Sequence, residues 1–201
     1  MKERTRIVIV GVGGQGIIRA ARILADAAIR SDVPVVMNEV HGMSQRGGIV
    51  ETSLVLGPSA SALIGRGGAD ILIAFEPLEA IRAMPVVSKK TLVVINSRPI
   101  IPPGARLSGT GYIDLDTRLE AIRSRCGGLV VLDGFAIAEK AGNTRTTNVV
   151  VLGALAQAGA LPFDADTLLE AVLDGVGERF HEVNQRAFAM GREAGSSSFG
   201  G

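Results

Sequence analysis

Apolar residues fall in two periods along this chain. Short unbroken runs rich in Val and Ile read as strands buried on both faces. They are RIVIV (6–10), DVPVVMNE (32–39), ADILIAFEP (69–77), KTLVVINS (90–97) and LVVLD (129–133). Between them, apolar residues recur at helical spacing. Ile17, Ile18, Ala21, Leu24, Ala25 and Ala28 share one face of 14–30, leaving Arg19, Arg22, Asp26 and Arg30 for solvent. Shorter helices are expected at 78–84 and 134–142. Longer ones are expected at 143–160, at 164–176 from an Asp cap, and at 178–195. The stretch 111–128 reads as a short strand and then a helix, with Asp114 or Asp116 as N-cap and Gly127 as its end.

Strand–helix–strand over 6–38 predicts parallel strands joined by a right-handed crossover. GIVETSLVLG (48–57) has strand composition but follows a loop instead of a helix, so it is expected to be antiparallel or at an edge. RPIIPPG (98–104) must be a loop. Alternating strands and helices predict an α/β fold. The expectation is a single Rossmann-like domain over 1–194, mainly parallel sheet with helices on both faces, and a flexible tail over 195–201.

The chain has 201 residues, enough to bury a core without staples. Aromatics make up only 3% and net charge is +1, so neither base stacking nor electrostatics argues for nucleic acid or an anionic membrane. The apolar run after MKERT is cut short by Gly11, well below a membrane span, which predicts a cytoplasmic protein. One cysteine, Cys126, excludes an internal disulfide and a cysteine-built cluster. Two histidines, His41 and His181, make no metal pattern.

Two loops carry the candidate chemistry. VIVGVGGQGI (8–17) satisfies G-x-G-x-x-G through Gly11, Gly13 and Gly16, in the strand–turn–helix setting that offers helix N–H groups to a phosphate. Glu39 stands at about the ~20-residue spacing of a ribose-binding acid. Two details depart from a plain dinucleotide site: Gln15 occupies the helix start, and Glu39 opens the loop EVHGMSQRGG (39–48). That loop holds Ser44, Gln45 and Arg46, followed by Gly47 and Gly48. Both loops leave the same sheet edge and are expected to face each other. For Gly11, Gly13, Gly14 and Gly16 the alternatives are tight strand–helix packing, a bound phosphate, or a partner contact. Gln15 is either a solvent-facing first-turn residue or an amide reaching the facing loop or a partner. The 39–48 polar groups either satisfy one another, with Arg46 paired to Glu39 or Glu51, or face a partner chain. Asn143 reads as an N-cap, with Asn148 one turn further along the same segment.

GVGGQG and EVHGMSQRGG together, with GGADILIAFEPLEAIR (67–82) and AGNTRTTNVVVLGAL (141–155), carry a family resemblance over roughly residues 5 to 190. The chain resembles the gamma-type subunits of 2-oxoacid:ferredoxin oxidoreductases, most nearly the small subunits of the indolepyruvate branch. The resemblance implies a non-catalytic subunit supporting coenzyme A-dependent oxidative decarboxylation of an aryl-2-oxoacid. Thiamine diphosphate, Mg2+ and iron–sulfur clusters would be held by a larger partner chain, with ferredoxin as acceptor and no cofactor on this chain alone. It also places Asn143 and Asn148 near subunit contacts. The competing expectation is a free-standing NAD(P)-binding oxidoreductase or a nucleotide-binding regulatory domain. That reading lacks a Tyr-x-x-x-Lys pair, since Tyr112 is the sole tyrosine.

Overall fold

The computed structural model describes residues 4–41, 48–100 and 115–198. Strands β1 (Thr5–Val12), β2 (Val35–His41), β3 (Ile49–Leu56), β4 (Ile71–Ala74), β5 (Leu92–Asn96) and β6 (Gly128–Leu132) form one sheet in the order β2-β3-β1-β4-β5-β6. β1, β4, β5 and β6 pair in parallel. β3 is antiparallel to both β1 and β2.

The expected antiparallel strand is therefore present, but it lies inside the sheet and not at its edge. β1 and β2 run in the same direction, as the crossover of α1 (Ile17–Arg30) requires, yet they do not touch. β3 returns from the end of β2 and takes the place beside β1.

Period-two alternation divides the core. Ile7 and Ile9 of β1 face a large cluster with Leu54, Ile73, Val94 and Val130, covered by α1 and by α4 (Gly134–Ala141), α5 (Thr147–Gln157), α6 (Ala165–Asp174) and α7 (His181–Ser198). Val8 and Val10 face the other cluster with Leu72, Val93 and Ile95, covered by α2 (Pro77–Arg82) and α3 (Leu115–Arg123). Helices on both faces follow from strands that are apolar on both sides.

α5 is buried on every side from Asn148 to Leu155. Its β-branched run Val149–Val151 lowers helix propensity only slightly, and burial between the sheet and α7 outweighs that cost. The crossing of α5 and α7 leaves no room for side chains. A Cβ on Gly153 would strike the carbonyl oxygen of Phe188, and one on Gly191 that of Val150. A Cβ on Gly195 would stand 2.9 Å from the Ala154 oxygen.

Three local expectations change. α7 continues through Ser198, because Gly195 packs on α5; the tail expected from 195 begins inside this helix. Asp116 lies within α3 and is not its cap, while Asp114 lies outside the described residues. Gly127 follows α3 by several residues and serves a close approach, since a Cβ there would stand 2.5 Å from the Lys89 oxygen.

Replacing Gly191 by Ala forces α7 away from α5. The expected loss is about 1–3 kcal/mol or more of unfolding free energy, measured by urea denaturation. Ser196→Ala, on an exposed position of the same helix, leaves it unchanged within experimental error.

Candidate functional site

The carboxyl ends of β1, β4, β5 and β6 meet where the chain reverses its winding direction across the sheet, the position at which open α/β sheets take ligands. Here the crevice is laced by two carboxamides. Gln15 Oε1 accepts the Val12 N–H (2.8 Å), and Gln15 Nε2 donates to the Phe75 carbonyl (2.8 Å). Asn96 Nδ2 donates to that same carbonyl (3.0 Å), and Asn96 Oδ1 accepts the Gly134 N–H (2.9 Å). The lace ties the end of β1 to β4, β4 to β5, and β5 to the start of α4.

Each glycine of the first loop has a physical reason. A Cβ on Gly11 would lie 2.7 Å from Gln15 Oε1 and 3.0 Å from Phe75 Cβ, so the inward turn of Gln15 requires glycine there. Gly13 N–H donates to the Gly48 carbonyl (2.9 Å) and joins the two loops. Gly14 and Gly16 have φ of +104° and +81°, the left-handed region that L side chains rarely adopt. Gly16 is the N-cap of α1 and supplies no side chain, so the first N–H groups of α1 have no capping oxygen. Asn148 lies beneath it. It is buried, and its Nδ2 would stand 3.2 Å from a Cβ at Gly16.

Gln15 is thus not a solvent-facing first-turn residue; its amide turns into the crevice. Glu39 is not brought to the glycine loop. In register, Thr52 of β3 stands between Ile9 and Glu39, and the Glu39 carboxylate faces Arg22 of α1 at 4.0 Å. The inserted strand therefore separates the two halves of the dinucleotide fingerprint, and the Gln15 amide occupies the crevice between β1 and β4. Ser44, Gln45, Arg46 and Gly47 lie outside the described residues. Asn143 caps the turn before α5, accepting Arg145 N–H at 3.0 Å, as its bland reading expects.

Beside the lace lies a cavity of about 340 Å³, lined by Gly14, Gln15, Asn96, Arg98, Phe135 and Arg145 among others. Arg98 stacks on the Phe135 ring, 4.0 Å from its centroid. Asn96, Arg98 and Phe135 escaped the sequence reading. The available signal was a lone Asn closing an otherwise apolar strand.

Below the lace, Glu76 lies two residues past β4 and caps α2, its Oε2 accepting Leu78 N–H (2.7 Å) and Glu79 N–H (3.2 Å). Glu79 is itself buried and pairs with Arg82 at 2.5 Å. Burial raises its carboxyl above the ordinary 4.5; the Arg82 charge opposes that shift and the neighbouring Glu76 adds to it. The Cys126 thiol is also pushed up by burial, away from reactivity. Among the described residues, no helix is long and apolar enough to cross a membrane.

Residues 6–194 match the family model described as pyruvate ferredoxin/flavodoxin oxidoreductase. The indolepyruvate oxidoreductase subunit IorB of Methanothermobacter thermautotrophicus is 40% identical over 192 residues, covering 96% of this chain and 98% of that one. Among solved structures, the gamma subunit of a keto/oxoacid ferredoxin oxidoreductase from Geobacter sulfurreducens superposes with a TM-score of 0.72 at 24% identity, over 97% of this chain and 98% of that one. The 2-oxoglutarate:ferredoxin oxidoreductase of Magnetococcus marinus, solved with 2-oxoglutarate, coenzyme A and succinyl-CoA bound, gives 0.75 at 19% identity. There 98% of this chain covers 32% of the longer one.

Gln15→Leu keeps the bulk of the side chain, strands the Val12 N–H and takes from the Phe75 carbonyl one of its two amide donors. The expected cost is about 2 kcal/mol, read as a shift of the urea midpoint. A second measurement concerns Glu79. Its folded pKa lies above the unfolded one, so just above pH 4.5 the folded chain holds a proton that the unfolded chain has released. Stability therefore falls as pH rises through that window. In Glu79→Gln this slope disappears from denaturation midpoints taken between about pH 4 and 7.

Proposed function

The chain belongs to the pyruvate ferredoxin/flavodoxin oxidoreductase family, and from that premise we propose that it is the small, non-catalytic subunit of a 2-oxoacid:ferredoxin oxidoreductase acting on an aryl-2-oxoacid of the indolepyruvate kind. The complex would convert the oxoacid and coenzyme A to acyl-CoA and carbon dioxide, with the electrons passed to ferredoxin. Thiamine diphosphate, Mg2+ and the iron–sulfur clusters belong to a larger partner chain. The single buried cysteine of this one cannot hold a cluster. The indolepyruvate assignment is supported by the identity to IorB over nearly the whole length of both chains.

The observation that carries the docking assignment is the uncovered apolar rim at the carboxyl edge of the sheet. Val40 stands one residue before the end of β2 with 57% of its surface exposed, Ile49 begins β3 with 48% exposed, and Ile100 follows β5 with 42% exposed. All three stand at the edge where the two glycine loops are joined by the Gly13–Gly48 bond. An apolar rim around loops with spare N–H groups suits burial against another chain. In this reading the start of α1, with the N–H groups of Gly14 and Gly16 beside it, faces the phosphates of the acyl acceptor at that interface, the Gly13 and Gln15 N–H groups being held by the Gly48 and Val12 carbonyls, while the partner contributes the reacting centre.

Anaerobic affinity purification of the tagged chain from its own cells, followed by native mass spectrometry, tests this. A larger thiamine diphosphate and iron–sulfur protein is expected in fixed ratio. Val40→Glu, at an exposed position that the fold does not use, should weaken that association by about tenfold or more. Recovery of the chain alone carrying a nucleotide would overturn the proposal.

A further inference from the structure

The 340 Å³ cavity has a chemistry that the partner reading leaves unused. It sits at the small end of ligand pockets, which run from about 300 to 1,000 Å³. Its described lining holds no acidic residue. Besides the hydroxyls of Thr144 and Thr147, its polar side chains are amides and guanidinium groups with hydrogens to donate. Gln15 and Asn96 each give one amide hydrogen to the Phe75 carbonyl, so each keeps a second N–H to offer. Arg145 is exposed and pairs with no carboxylate among the described residues. Arg98 differs, since it lies 4.0 Å from Asp133 and is held flat on Phe135. On the other side, Ile100 and Phe135 supply apolar surface.

We propose that this cavity binds a small aromatic carboxylate. The ring seats against the Phe135–Arg98 stack, where a planar guanidinium and an aromatic face both favour a flat partner. The carboxylate meets Arg145 and the spare amide N–H groups of Gln15 and Asn96. A bare phosphate would use those donors but leave Ile100 and Phe135 against a hydrated dianion, and a ring without a charge would leave Arg145 unanswered. Because Gln15 also ties the glycine loop to β4, an occupant of the cavity touches a residue that sets that loop. Binding itself is independent of the proposed function. Only the further step, that the occupant is of the substrate or product class of the complex, rests on that reading.

The full chain is titrated by calorimetry with indole-3-acetate, and with tryptophol, acetate and inorganic phosphate as comparators. The titration is repeated on the co-purified complex. Indole-3-acetate should bind with a dissociation constant below about 1 mM. Tryptophol, which lacks the carboxylate, and acetate, which lacks the ring, should each bind at least about tenfold more weakly. Arg145→Gln, at a surface position, should cost about tenfold or more, and Arg145→Lys should recover part of the loss. Phe135→Leu should weaken the aromatic ligand and leave acetate unchanged. The proposal is overturned by no binding at about 5 mM, by phosphate binding as tightly as indole-3-acetate, or by affinities that neither the Arg145 nor the Phe135 variants move. The titration of the chain alone needs no partner, so a failure here is distinct from a failure to co-purify one.

Discussion

The carbonyl oxygen of Phe75 accepts two amides, from Gln15 and from Asn96, and the site is built around that convergence. At the carboxyl ends of parallel strands the last backbone groups run out of strand partners. Left buried and unpaired, each would cost about 1–3 kcal/mol. In a dinucleotide-binding sheet, ligand and water share this region. Here two side chains of the protein do, and the consequences spread outward. Gly11 must be glycine because the Gln15 amide passes beside it. Asn96 fixes the start of α4, and with it Phe135. The end of β1 and the glycine loop are thus held by the chain's own side chains.

A second constraint places the other wall of the site. α5 runs under α7 so closely that Gly153, Gly191 and Gly195 are sterically required, and its first turn is thereby fixed beneath the glycine loop. Asn148 then comes to rest against Gly16, and Arg145 comes to rest at the cavity. The helix that looks least suited to function, apolar almost throughout, is the one that delivers polar groups to the site from a position far along the chain.

Much of the fold was legible in the sequence. Short Val/Ile runs closed by turn residues read as strands covered on both faces, the Val149–Val151 run inside a longer helical stretch being the exception, and the period of α1 is unambiguous. The first loop was recognisable because G-x-G-x-x-G carries its own steric reasons. Less legible was the path of β3. Its composition said strand and the missing helix said antiparallel, but nothing local says whether a hairpin strand folds outward or between its neighbours. That one placement separates Glu39 from the glycine loop by a full strand, and the apparent dinucleotide fingerprint has no second half. Gln15 stood out as anomalous but its direction stayed open, since an amide at a helix start has equal local freedom to face water, a neighbouring loop or the sheet.

By itself the sequence determined the layers, the strand runs and the two loops at one edge. These properties are set by neighbours within a few residues, through alternation, backbone conformation and steric bulk. Tertiary structure alone decided which strands touch, where the Gln15 and Asn96 amides find their shared acceptor, and that Arg98, Phe135 and Arg145 border one cavity. Those outcomes depend on groups up to 130 positions apart, as Gln15 and Arg145 are (145 − 15). Hydrogen-bond satisfaction and close packing select such arrangements only once the whole sheet and its helices have assembled.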